Sequence, residues 1–155
     1  MGVINELTYL HMEVLTSMEE IERRLRRLKR LKAGEAEGHR VADGLATSAL
    51  RLRRRLVRCQ ESQEKQVFRR VRRICGDETE ELVELRRGME RSVEALEAFI
   101  SALPEGEEAD WAALAEDLED RFEKFDGRYN ERCEAEQNFL QSYSTILYPG
   151  GLATE

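Results

Sequence analysis

Arg58-Cys59-Gln60-Glu61-Ser62-Gln63-Glu64 and Arg132-Cys133-Glu134-Ala135-Glu136-Gln137 share one pattern, an Arg-Cys pair with a Gln four residues after the Cys. On a helix, residues four apart lie one above the other on the same face. Each copy therefore predicts a thiol and an amide stacked on one side of a helix. Working outward from the first copy, Leu45, Ala49, Leu52, Leu56, Cys59, Gln63, Val67, Val71 and Ile74 recur in steps of three and four. That stripe predicts a helix over residues 39–74, with Gln63 its polar exception. Around the second copy, Trp111, Leu114, Leu118, Phe122, Phe125, Tyr129, Cys133, Gln137 and Leu140 do the same. They predict a helix over residues 108–147, with Gln137 its polar exception.

Two more stripes complete the set. Leu7, His11, Val14, Met18, Ile21, Leu25 and Leu28 predict a helix over residues 5–32, with His11 in the apolar seam. Leu82, Leu85, Met89, Val93, Leu96, Ile100 and Leu103 predict one over residues 80–103. Ala33-Gly34 and Gly38 break the first pair of helices, and Gly76-Asp77 the second, with Asp77 or Thr79 as helix cap. Pro104-Glu105-Gly106 and Pro149-Gly150-Gly151 are stop signals, and residues 150–155 are expected to form a flexible tail. No strand pattern occurs. The expected fold is all-α: one domain over residues 1–149, an antiparallel up-down-up-down four-helix bundle. Counting from the turns places His11 level with Cys59 and Gln63, and Met89 within a turn of that level. Matching helix lengths brings Cys133 and Gln137 to the same level, if residues 104–110 run extended to the first turn.

The 155 residues are 41% hydrophobic and 37% charged with only 2 Pro, the composition of long amphipathic helices. The net charge of −7 is unevenly spread. Residues 1–75 hold 18 Lys+Arg against 10 Asp+Glu, a balance of +8, and residues 76–155 hold 7 against 22, or −15. Two readings stand: a basic hairpin paired with an acidic one along their seam, or a basic face for an anionic partner. Nucleic acid is not an expected partner, because the Arg-rich helices carry neither interleaved aromatics nor a known reading motif. No apolar run reaches the roughly 20 residues of a membrane span. The N-terminus has no signal-peptide pattern, and Glu6 stands where myristoylation wants Ser or Thr. A cytoplasmic location is the expectation. Three scattered cysteines, Cys59, Cys75 and Cys133, do not form a disulfide framework.

A core His on the first helix, followed by a second helix with a paired position four residues apart, resembles the hemerythrin-like cation-binding domain. That resemblance implies a four-helix bundle around two irons. It places His11 at the first-helix ligand, Cys59 and Gln63 at the second-helix His and Glu, and Met89 near the third-helix His. Cys133 and Gln137 take the places of the fourth-helix pair, and Glu64 with Val67-Phe68 fits the surrounding pattern. Most ligands are thus replaced, His by Cys and Glu by Gln, twice over. Neutral amides are poor partners for iron, so the resemblance implies a degenerate site.

The candidate residues keep more than one reading. Cys59 and Cys133 are small core residues, or ligands with His11 and Met89 for a soft ion such as Zn or Cu(I), or a reversible thiol pair. Gln63 and Gln137, with Glu64 beside them, form a polar core that fixes helix register. No cofactor is expected; a soft metal comes next, and di-iron after it. No nucleophile–base pair, phosphate loop or metalloprotease motif occurs, so no enzyme is expected. The functional expectation is an interaction, regulatory or structural module, binding a protein partner or forming a homo-oligomer through its helix faces. The alternative is a metal-binding or redox/oxygen-sensing protein that uses the core His and Cys residues.

Overall fold

A computed structural model describes residues 3–76, 79–104 and 110–143, with side chains from residue 6 onward. It contains α1 (Val3–Lys29), α2 (Glu37–Gln63), a π-helical turn (Glu64–Phe68), α3 (Arg69–Cys75), α4 (Glu80–Ser101) and α5 (Trp111–Ser142). The backbone stays helical through Gln63, Glu64, Phe68 and Arg69, so α2, the π turn and α3 make one continuous rod. The described residues therefore form four helical rods and no strand.

The rod ends follow from local chemistry. After α1, Arg30 N–H donates to Arg27 O at 3.1 Å and Leu31 N–H to Leu28 O at 3.2 Å, tightening the last turn. Gly34 then takes φ +78°, where a side chain would be strained. Gly76 takes φ +87° and donates to Arg72 O at 2.8 Å, ending α3. Thr79 Oγ1 accepts the Leu82 N–H at 3.3 Å and caps α4. Asp110 caps α5 by accepting from Ala113 N–H at 3.3 Å. The alternative cap Asp77 lies outside the described residues. So do residues 105–109, where the last helix was expected to start, and 144–155, which hold its expected end and the tail.

Two apolar clusters hold the rods together. The larger takes Val14 to Leu28 of α1, Val41 to Leu56 of α2, Ala95 to Phe99 of α4 and Trp111 to Tyr129 of α5. The smaller takes Leu7, Val67, Phe68, Val71, Leu82, Leu85, Met89 and Phe139. Hydrogen bonds from Arg24 to Ser48, Arg55 to Ser17 and Ser62 to Glu6 run the length of an antiparallel α1–α2 pair. Arg132 to Ser92 and Tyr143 to Glu81 do the same for α4 and α5.

Trp111 sets the level of α5. Its ring is fully buried, and Nε1 donates to Glu35 O, 3.0 Å away in the α1–α2 connection. α5 therefore starts beside that connection, as the helix lengths require. Gly38 was expected to break the chain; instead it lies in the first turn of α2, beneath the indole. A Cβ at Gly38 would overlap the ring. Gly38→Ala is accordingly expected to lower the unfolding free energy by about 1–3 kcal/mol through overpacking. At an open helix site the same change gains roughly 0.5–1 kcal/mol. Urea denaturation distinguishes the two signs, and a gain would mean that Trp111 is not seated there.

Candidate functional site

Where each rod passes from the larger apolar cluster to the smaller, it carries residues that are not aliphatic. These are His11 on α1, Cys59 and Gln63 on α2, Ser92 on α4, and Arg132, Cys133 and Glu136 on α5. Together they make a polar layer across the core.

Arg132 is its centre. The side chain is 1% exposed. Nη1 lies 3.5 Å from Ser92 Oγ, and Cζ lies 5.7 Å from the centroid of the Tyr129 ring. Ser92 Oγ in turn donates to Met89 O at 2.7 Å. Nη2 has no hydrogen-bond partner, and the buried Gln63 amide makes no well-formed hydrogen bond, with Glu136 the side chain it approaches. Buried polar atoms without partners cost about 1–3 kcal/mol each, and more when charged. Glu136, one turn beyond Arg132, is half-buried. Burial raises its carboxyl above the ordinary 4.5, against the pull of Arg132 and the nearby Gln63 amide.

Beside this group, His11 Nδ1 sits 2.6 Å from Tyr129 Oη, with the rings stacked at 5.5 Å. Cys133 Sγ is 3.8 Å from the same nitrogen. Burial, and then the Arg132 charge, lowers His11 below 6.5, so the imidazole is neutral near pH 7. Burial also raises Tyr129 above 10, so the phenol keeps its proton. It pushes Cys59 and Cys133 each up to about 11. Thiols that remain protonated at neutral pH are poor nucleophiles and poor ligands. Phenol and thiol also address a single imidazole nitrogen.

Several expectations need correction. Gln137 is exposed, not part of a polar core. Steps of four from Tyr129 through Cys133 to Gln137 drift about 40° each on a helix of 3.6 residues per turn. The buried line runs instead through Tyr129, Arg132 and Phe139, with Glu136 half-buried along it. Glu64 is likewise no core residue. Burial pulls its carboxyl upward, but ion pairs with Arg72 and with Arg86, the latter at 3.1 Å, outweigh that and lower it. Met89 packs in the smaller apolar cluster at 6% exposure. Ile74 is 60% exposed rather than in the seam, because α3 is nearly at its end. What the structure brings together is His11, Cys133 and Tyr129, with Arg132 and Glu136 as members that stripe reading passes over. The one available signal was Phe139, which is in phase with Arg132 seven residues earlier and not with Gln137.

The residues do not fit a di-iron group. Among the described residues no three His, Cys, Asp or Glu side chains converge as metal ligands. Two irons require several carboxylates and imidazoles. This layer offers one neutral imidazole, two protonated thiols, a carboxyl pushed toward neutrality, and a permanent cation. No helix among the described residues is long and apolar enough to cross a membrane. Comparison with protein-family models, curated proteins and solved structures returns no match to the chain.

Two outcomes follow from the buried layer. With a chromogenic disulfide reagent, the exposed Cys75 is expected to react quickly, the partly exposed Cys133 more slowly, and the buried Cys59 only as the fold opens. Three equally fast thiols would contradict the burial of Cys59. Glu136 binds its proton more tightly in the fold than in the open chain, so its share of stability falls as pH rises from 4.5 through its folded value. Glu136→Gln is therefore expected to be more stable than the parent at pH 7 and to lose that margin below pH 4.5. Urea titrations at the two pH values give the comparison, and a margin that grows in acid would reverse the assignment.

Proposed function

We propose that the chain is a hemerythrin-like antiparallel up-down-up-down four-helix bundle whose di-iron site has given way to a metal-free polar layer. In this reading it is not an enzyme. It serves as an interaction, regulatory or structural module, working through its outer helix faces on a protein partner or a second copy.

The buried Arg132 carries the reading. A guanidinium has a pKa above roughly 12 and cannot shed its charge in a protein. It lies between α5 and α4 at the level of His11 and Cys133, where the resemblance would put metal. Cations held close together in a medium of low polarity repel strongly. The guanidinium thus replaces metal charge with charge of the chain's own. The antiparallel α1–α2 and α4–α5 pairs, joined through His11–Tyr129 and Arg53–Glu97, support the bundle topology. The exposed Tyr9, Met12 and Leu15 of α1 supply the apolar part of an outer face, residue types common at interfaces.

The alternative, a metal or redox sensor, draws on the closeness of Cys133 to His11. The raised thiols and the nearby cation count against it. The deciding experiment incubates the full chain anaerobically with Fe(II), Zn(II) or Cu(I), separates free metal by gel filtration, and measures bound metal by mass spectrometry. The expected result is no stoichiometric retention of any of the three. One or two ions held per chain would overturn the proposal, and a loss of that metal in Cys133→Ser would favour the sensor.

A further inference from the structure

About 20 Å along α1 from the polar layer, at ~1.5 Å per residue, the end of α1 meets the start of α2 around a cleft of about 360 Å³. It is lined by Arg23, Arg24, Arg27, Arg40, Glu20 and Val41. Four guanidiniums around one cleft repel one another, and the chain invests structure in holding them there. Arg24 Nε donates to Ser48 Oγ at 3.1 Å, and Nη2 approaches Glu20 at 3.4 Å. Ser48 is itself buried. Gly44 faces Arg24 from inside α2, and any Cβ there would overlap Nη1. A glycine inside a helix weakens it, and here it makes room for a guanidinium.

The acids at the cleft are already engaged. Glu20 also takes Arg51 at 3.2 Å, and Glu37 pairs with Arg27. Arg23 and Arg40 are exposed and have no ion-pair partner among the described residues. The N-cap residue of α2, Ala36, supplies no side-chain acceptor, and the Gly38 and His39 N–H groups turn back to the Glu35 and Ala36 carbonyls. The lining contains no aromatic ring on which a base could stack.

We propose that this cleft binds a compact soluble polyphosphate, recognised by its phosphate groups. Guanidinium forks match phosphate oxygens two at a time, which a point charge cannot do. Arg24, held through Nε and Nη2 by Ser48 and Glu20, supplies its remaining N–H groups, and Arg23 and Arg40 close on the ligand from either helix. The ligand replaces the counter-charge that the chain omits. Arg132 and its layer lie too far away to take part, so the fate of the metal-free reading does not bear on this site.

The experiment is calorimetric titration of the full chain with inorganic tripolyphosphate, with sulfate at matched ionic strength as the control anion. One tripolyphosphate per chain is expected, bound more tightly than sulfate. Each charged hydrogen bond lost is about tenfold in affinity. Arg23→Gln/Arg40→Gln should therefore weaken binding by at least that factor, with the melting temperature unchanged. Gly44→Ala should hold or raise the melting temperature while weakening binding, because the new methyl displaces Arg24. Arg69→Gln/Arg73→Gln, on the basic face of α3, should bind like the parent. The absence of saturable binding would overturn the proposal. So would an equal loss in the α3 variant, since that is the behaviour of diffuse positive charge.

Discussion

Arg132 constrains its surroundings more than any other side chain. Taking a guanidinium out of water costs several kcal/mol unless hydrogen bonds and an opposite charge replace the lost hydration. At 1% exposure, this one has Ser92 Oγ at 3.5 Å, the face of Tyr129, and a half-buried carboxyl one turn away. Those needs explain why a serine interrupts the buried side of α4 between Met89 and Ala95. Gly88 stands opposite, where an added Cβ would make only ordinary contact with the Arg132 Cα at 3.6 Å. The same charge helps to keep His11 neutral, although burial is the larger cause. The polar layer is thus organised around a cation belonging to the chain.

The π turn solves a different problem. Cys59, Gln63, Val67 and Val71 are buried at uniform steps of four. On an unbroken α-helix such steps carry the line around the rod by about 40° each. A wider turn over Glu64–Phe68 takes up the drift and lets Val67, Phe68 and Val71 reach the smaller cluster. α5 meets the same excess of four-residue steps without a π turn. It lets Cys133 and Gln137 rotate outward and brings Arg132 in. Two segments that look alike in sequence therefore behave differently. The four rods, the turn glycines Gly34 and Gly76 and the cap Thr79 were legible, because they depend on local periodicity and backbone chemistry. The inward turn of Arg132 was not, because it depends on how two rods share the same drift.

The charge asymmetry resolves into parts. Lys29–Glu119 at 3.1 Å and Arg53–Glu97 at 3.2 Å join the basic half to the acidic half. Arg86–Glu64 at 3.1 Å also crosses, with the base on the acidic half, while other pairs stay within a half: Arg51 with Glu20 and Arg58 with Glu13 in the first, Arg121 with Asp117 and Arg128 with Glu131 in the second. Exposed pairs of this kind contribute about 0–1 kcal/mol each. They do not set the docking of the halves, which falls to apolar contact and to the two polar ties at Trp111 and His11. Much of the basic excess is left facing solvent, including where α1 turns into α2.

Those two ties also bear on the order of assembly. The α1–α2 and α4–α5 hairpins each close over short connections, and short loops cost little entropy to close. Trp111 to Glu35 spans 76 residues and His11 to Tyr129 spans 118. Neither can form cheaply until its own hairpin is in place. Mating of the two halves is secured at one end by an indole and at the polar layer by a phenol. A chain arranged this way has a natural division at residues 76–79, where α3 has ended on Gly76 and α4 has not yet been capped by Thr79.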